Sequence, residues 1–142
     1  MDKKRIIVTG GTDGIGLALV KKLIEKDQSV FIVGRNPEKG NAVLNNLKSK
    51  NLEFFQCDLS ELNQINKLLK KLKNLKRIDV LVNNAGSIFD KRSLNSEGIE
   101  KTFALNHLSY LALSIGLIEN LESSFDPRII NVSSNAHKRS KI

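Results

Sequence analysis

The chain lacks most of the chemical staples that hold small or exported folds together. It has a single cysteine, Cys57, so an internal disulfide is excluded and a reducing, cytoplasmic setting is expected. Cys57 itself reads as a small buried hydrophobe. There is no tryptophan and only one tyrosine, Tyr110. Long apolar runs are missing too. The most apolar helix candidate, Leu108 to Ile118, is interrupted by Ser109, Ser114 and Gly116. It falls well short of the ~20 residues of a membrane span, so no span is expected. A signal peptide is not expected either, because Met1-Asp2-Lys3-Lys4-Arg5 leads straight into a short apolar strand pattern. Repeats, low-complexity stretches and linkers are absent, which points to one domain over 1–142. No metal site is expected.

Acidic residues are in short supply, and the net charge is +8. Much of the excess sits in Lys67, Lys70, Lys71, Lys73, Lys76 and Arg77, which follow a lone Glu61. Aromatics do not interleave with these lysines, so there is no platform on which bases could stack. The stretch reads as a solvated helix face, and no nucleic-acid partner is expected.

What the chain does have is alternation of strand and helix patterns. With 40% hydrophobic and 27% charged residues it has an ordinary globular composition. Strands are expected at Arg5 to Thr9, Val30 to Val33, Leu52 to Gln56, Val80 to Val82 and Arg128 to Val132. Helices are expected from Gly14 to about Lys26, from Pro37 to about Lys48, after a Ser60 cap, and as one long segment from about Glu97 to Leu121. In the third helix Leu62, Ile65, Leu69 and Leu72 point inward. The second, fourth and fifth strands are almost wholly apolar, as strands covered on both faces by helices are. These features predict an α/β, Rossmann-type doubly wound parallel sheet of order 3-2-1-4-5.

The organising stretch is Arg5 to Gly16, RIIVTGGTDGIG. An apolar strand ends in Thr9, glycines follow at Gly10, Gly11, Gly14 and Gly16, and an amphipathic helix begins with Ile15, Leu19 and Leu23 on one face. Thr12 or Asp13 is the expected N-cap. Strand, glycine turn and helix together are the layout of a dinucleotide phosphate site. The backbone must pass close to a diphosphate, and the unpaired first-turn amides point at the anion. The alternative is a glycine-rich turn that caps a helix and binds nothing. The common GxGxxG fingerprint is absent, because Leu17 and Leu19 stand where a third close glycine would fall.

In such a sheet the ligand lies beyond the carboxyl ends of the strands. After the second strand comes Gly34-Arg35-Asn36. An NAD site would present an acid there to the ribose 2′-hydroxyl. Arg35 instead offers a guanidinium that can clamp a 2′-phosphate and stack on adenine, so NADP(H) is favoured over NAD(H). Asp13 argues the other way, since it puts a negative charge where a second basic group often helps. Arg35 can also be read as an ordinary surface arginine.

Gly10, Gly14 and Gly16 read as TGxxxGxG, and the fourth strand ends in Asn83-Asn84-Ala85-Gly86. Both elements resemble the short-chain dehydrogenase/reductase family. The wording Asn131-Val132-Ser133-Ser134-Asn135-Ala136-His137, with the Asn106-to-Tyr110 run, is most similar to its retinol-dehydrogenase and WW-domain-oxidoreductase branch. The resemblance implies hydride transfer between a nicotinamide cofactor and a small-molecule alcohol or carbonyl. It implies Ser134 as the catalytic serine that hydrogen-bonds the substrate oxygen, and Asn106 as the catalytic asparagine on a locally opened helix that holds a proton-relaying water. It places Asp58, in Cys57-Asp58-Leu59, beside the adenine amino group; Asp58 can equally serve as an acid complementing a helix dipole. It also lets the backbone at Asn84, Ala85 and Gly86 approach the cofactor. The binding candidates are thus Thr9, Gly10, Thr12, Asp13, Gly14, Ile15, Gly16, Arg35, Asn36, Asp58, Leu59, Asn84, Ala85 and Gly86. His107 reads as structural. Family members often pair through the long fourth helix, so a homo-oligomer is allowed.

One family element is missing. The proton donor should be a tyrosine in a YxxxK element beyond the serine, and the sequence reaches Ile142 without one. Tyr110 is followed four residues later by Ser114 and precedes the serine. The resemblance therefore covers the N-terminal half or somewhat more of the family domain. The expectation is an incomplete domain, a fragment truncated before the last strands, with the fifth strand as an apolar unprotected edge. The alternative is a non-catalytic, partial nucleotide-binding module.

Overall fold

The computed structural model describes residues 3–135. A five-stranded sheet has the order β3-β2-β1-β4-β5, and every pairing is parallel. Its strands are β1 (Arg5–Thr9), β2 (Ser29–Gly34), β3 (Leu52–Gln56), β4 (Val80–Asn83) and β5 (Arg128–Asn131). Helices α1 (Gly14–Glu25), α2 (Pro37–Leu47) and α3 (Leu62–Leu72) are the crossovers between β1, β2, β3 and β4. Between β4 and β5 lie α4 (Lys101–Phe103), a π-helical turn (Ala104–Leu108), α5 (Ser109–Gly116) and α6 (Ile118–Glu122).

Strands β1, β2 and β4 bury both faces, and the pleat divides their side chains between two cores; the equally apolar β5 does not. On one face Ile6, Val8, Val30, Ile32, Val80 and Val82 pack with Val20 of α1 and Val43 of α2. On the other Ile7, Val33 and Leu81 pack with Ile65, Leu68 and Leu72 of α3, Leu113 of α5, and Leu117 and Leu121. The helices therefore sit on opposite faces, and the chain reverses its winding between β1 and β4. β5 is the edge, and all four of its residues are exposed. The lysines of α3 face away from the core.

Three local expectations need correction. Ser60 does not cap α3: its amide and hydroxyl both donate to Asp58 Oδ1, at 2.9 and 2.7 Å. Glu61 holds the cap position but spends its carboxylate on Ser96 rather than on the helix, and Glu97 Oε1 accepts instead from the amide of Asn63 at 3.0 Å. A short polar side chain next to an aspartate bonds locally before it can serve the helix. The buried stripe of α3 also includes Leu68, whereas Leu62 and Leu69 are only partly covered.

The third correction concerns the segment from Glu97 to Leu121, which is not one helix. Asn95, 8% exposed, accepts the amides of Glu97 and Ile99 and donates to Ser60 O, so the chain turns there. The helix starts only at Lys101, where the Glu100 carboxylate accepts from the amides of Thr102 and Phe103 at 3.0 and 2.8 Å. Leu117, at φ −111° and ψ 11°, separates α5 from α6.

The amino ends of three strands meet at Asp79, which is 6% exposed. Its Oδ2 accepts the Arg5 amide at 2.7 Å, its Oδ1 accepts the Ser124 hydroxyl, and Arg77 Nε lies 3.4 Å away. Its own carbonyl accepts the Arg128 amide at 2.9 Å. Removing the carboxylate leaves the partly buried Arg5 amide and the Ser124 hydroxyl without their acceptor, and the Arg77 guanidinium without its ion pair. Asp79→Ala is expected to cost about 2–4 kcal/mol in urea unfolding, with Asp79→Asn losing less. A loss below about 0.5 kcal/mol would show that this cluster is not a structural latch.

Candidate functional site

The carboxyl ends of β1, β2, β3 and β4 open onto a cleft of about 670 Å³. It lies where the winding reverses, the position at which doubly wound sheets bind ligands. All the binding candidates except Thr9 line it: Gly10, Thr12, Asp13, Gly14, Ile15, Gly16, Arg35, Asn36, Asp58, Leu59, Asn84, Ala85 and Gly86.

Thr9 lies behind the cleft and is fully buried. Its hydroxyl accepts the amides of Asn84 and Ala85 at 2.8 and 3.0 Å and donates to Val82 O at 3.3 Å. Asn84 returns a side-chain bond to Thr9 O at 2.9 Å. Asn83 ties the next pair of strands, donating to Asn131 Oδ1 at 2.8 Å and to Ser114 Oγ at 3.3 Å.

The turn after β1 is tight because two backbones nearly touch. A Cβ on Gly16 would stand 2.2 Å from Gly10 O, so no side chain fits there. Gly10 sits at φ +66° and donates its amide to Val33 O at 2.8 Å, fastening the turn to β2. Asp13, rather than Thr12, caps α1 by accepting the Gly14 amide at 2.8 Å. The same carboxylate receives Lys39 Nζ at 2.6 Å. The lysine bond first, and then the Gly14 amide, hold the Asp13 carboxyl below the usual aspartate range.

Lys39 is a site residue that sequence reading missed. It stands in the first turn of α2, where Asn36 Oδ1 accepts its amide at 2.7 Å. Nothing local ties it to Asp13, 26 positions away. Arg35 is exposed on the same rim, and its guanidinium has no anionic partner among the described residues. Asp58 is held from two sides: its carboxylate serves Ser60, and its amide donates to Gln64 Oε1 at 2.9 Å. Cys57 and Ser87 also reach the cleft wall.

Asn106 sits inside the π-helical turn, where the helix is wider than ideal. Its side chain clamps the loop after β4, accepting the Ser87 amide and donating to the Ser87 carbonyl, both at 2.9 Å. His107 stacks on Phe103 with ring centroids 5.2 Å apart. Burial pushes the Tyr110 hydroxyl above the ordinary tyrosine range, away from what a proton donor near neutrality needs. Ser134 is exposed in the segment just beyond β5. Neither Asn106 nor Ser134 lines the cleft. Ala136 and His137 lie outside the described residues.

Residues 4–142 match the family model described as short chain dehydrogenase. A human protein, dehydrogenase/reductase SDR family member 12, is 36% identical over 132 residues, covering 90% of this chain and 42% of that protein. Human retinol dehydrogenase 11 is 33% identical over 144 residues, covering 98% of this chain and 45% of its own length. The chain thus spans less than half the length of these curated relatives. Among solved structures, the Pseudomonas aeruginosa RhlG/NADP active-site complex is 31% identical with a TM-score of 0.79, covering 92% of this chain and 54% of that one.

The cleft wall also yields a chemical test. Cys57 is 2% exposed, and burial, helped by the Asp58 charge, pushes its thiol up to about 12. At about pH 8 only about one thiol in ten thousand would be ionised. Native protein is expected to resist maleimide and to react once urea unfolds it. Rapid labelling of the folded protein would show that the wall opens.

Proposed function

The chain belongs to the short chain dehydrogenase family, and from that premise we propose that its cleft holds the adenosine and diphosphate of a nicotinamide coenzyme, NADP(H) in preference to NAD(H). The observation that carries this reading is the Gly10–Gly16 contact at the head of α1. No Cβ fits between these two backbones, so the turn stays tight and the first-turn amides stand at the cleft wall. The residues present fit such a group. Backbone amides at Ile15 and Gly16 would hold the diphosphate where the chain passes Gly14, Arg35 would hold the 2′-phosphate, and the remaining oxygen of Asp58 the adenine amine. At Asn84, Ala85 and Gly86 the coenzyme would approach backbone.

When bound, the coenzyme supplies hydride exchange with an alcohol or carbonyl. The chain's own part is to fix the dinucleotide and to hold groups at the neighbouring strand ends. Asn106, opened from its helix and bonded to Ser87, is the proposed water-holding group. Ser134 is the proposed partner of the substrate oxygen. Tyr110, half-buried on α5, is no substitute for a Tyr-x-x-x-Lys proton donor. Turnover is therefore proposed for the whole protein, and the second reading, binding without catalysis, for these 142 residues alone. Exposed Leu111, Ile115 and Ile118 support pairing of copies along α5 and α6, and the lone buried cysteine supports a reducing, cytoplasmic setting.

Coenzyme titrations test the assignment. In the intact protein, Arg35→Ala is expected to weaken NADPH about ten-fold or more while changing NADH less than about two-fold. Equal losses would discard the 2′-phosphate role. The 142-residue polypeptide is expected to bind NADPH without oxidising it in the presence of carbonyl substrates. Measurable turnover would reject a proton donor outside these residues.

A further inference from the structure

The cleft lining carries two cations, Arg35 and Lys39, and two carboxylates, Asp13 and Asp58, and only one of the cations is engaged by a carboxylate. Lys39 Nζ bonds Asp13 Oδ2 at 2.6 Å, while Arg35 has no anionic partner among the described residues. We propose that Lys39 is an exchangeable cation, held by Asp13 in the free protein and transferred to the coenzyme 2′-phosphate, so that Asp13 sets how strongly the cleft prefers the phosphorylated coenzyme. The proposal rests on the cofactor reading above and extends it to a pair of specificity-determining residues.

Three observations support the exchange. The first is placement. Asn36 caps α2 through the Lys39 amide at 2.7 Å, which fixes Lys39 one helical turn past Arg35, and both side chains line the cleft. The second is accessibility. The Asp13 and Lys39 side chains are 72% and 55% exposed, so their pair is worth no more than about five-fold in an equilibrium and breaks readily. A phosphate dianion accepts stronger, charge-assisted bonds than one exposed carboxylate. The third is the division of labour within Asp13. Its Oδ1 caps the Gly14 amide at 2.8 Å, independently of Oδ2. Asp13 therefore keeps its structural task after releasing the lysine, and its charge remains beside the phosphate to oppose it.

Asp13 thus acts against NADPH twice, by occupying Lys39 and by repulsion. NADH, with no phosphate there, is indifferent to both. A purely structural role, in which the pair only staples the first turn to α2, would alter both coenzymes alike.

A double-mutant cycle in the intact protein separates these cases. Asp13→Asn preserves the cap oxygen and frees the lysine. It is expected to tighten NADPH about three- to ten-fold and to change NADH less than about two-fold, with the gain shrinking at high salt. Lys39→Met is expected to weaken NADPH about three- to ten-fold with NADH unmoved. In the Lys39→Met background the gain from Asp13→Asn should fall by at least about half. An unchanged NADPH-to-NADH ratio in Asp13→Asn overturns the proposal. So does an equal gain in both backgrounds, which would leave repulsion alone. Failure of the unaltered protein to bind either coenzyme sinks the cofactor reading itself. Binding of both, with flat ratios across the cycle, sinks only the exchange.

Discussion

A hydroxyl sealed between β1 and β4 sets the shape of everything in front of it. Thr9 closes β1 with three bonds from one oxygen, two accepted from Asn84 and Ala85 and one donated to Val82. At this level the strands stop pairing and the chain turns away to opposite faces. The partly buried amides of Asn84 and Ala85 would otherwise have no strand partner, at a cost of about 1 kcal/mol each. Because Thr9 satisfies them, the two strands end together and their loops part in front of it. Thr9 therefore supports the cleft from behind, although its place at the end of the first strand makes it look like a wall residue.

From that clasp outward, the groups that finish the secondary structure also furnish the site. Asp13 caps α1 and Asn36 caps α2, and both stand on the cleft wall. Asp58 closes the turn into α3 while presenting its carboxylate at the third strand end. This coincidence follows from geometry. In a parallel sheet every crossover helix begins at the carboxyl edge, so its cap, its unpaired amides and the positive end of its dipole gather there. Helix amino ends gathered along one edge favour anions.

The order of the sheet was legible because the apolar runs of β2 and β4 need helices on both faces, and because glycines mark the turn at Gly10 to Gly16. What could not be read was tertiary choice. Ser60 looks like a cap, but Asp58 two residues earlier competes for its hydroxyl, and a carboxylate from Glu97 takes the helix instead. The periodic run from Glu97 looks helical, yet Asn95 spends its side chain on two amides and a distant carbonyl, delaying the helix to Lys101. Lys39 was invisible for a related reason. Its partner is brought to it only when β1 and β2 pair, with Thr9 opposite Val33.

The widened turn at Asn106 shows how a locally unfavourable element persists. A π-helical turn gives up regular i to i−4 bonds, and an isolated helix would relax it. Here Ser109 Oγ donates to Leu105 O at 2.6 Å, and Asn106 exchanges two bonds with the backbone of Ser87. A Cβ on Gly86 would lie only 3.2 Å from Asn106 Oδ1, so the loop after β4 packs directly against the turn. The opening is thus tied to the strand end that Thr9 fixes, and displacement of either would reach the other. This mechanical link joins the glycine-turn side of the cleft to the turn that carries Asn106. An asparagine that points at a backbone, outside the cleft lining, is thereby coupled to the loop that forms the cleft wall.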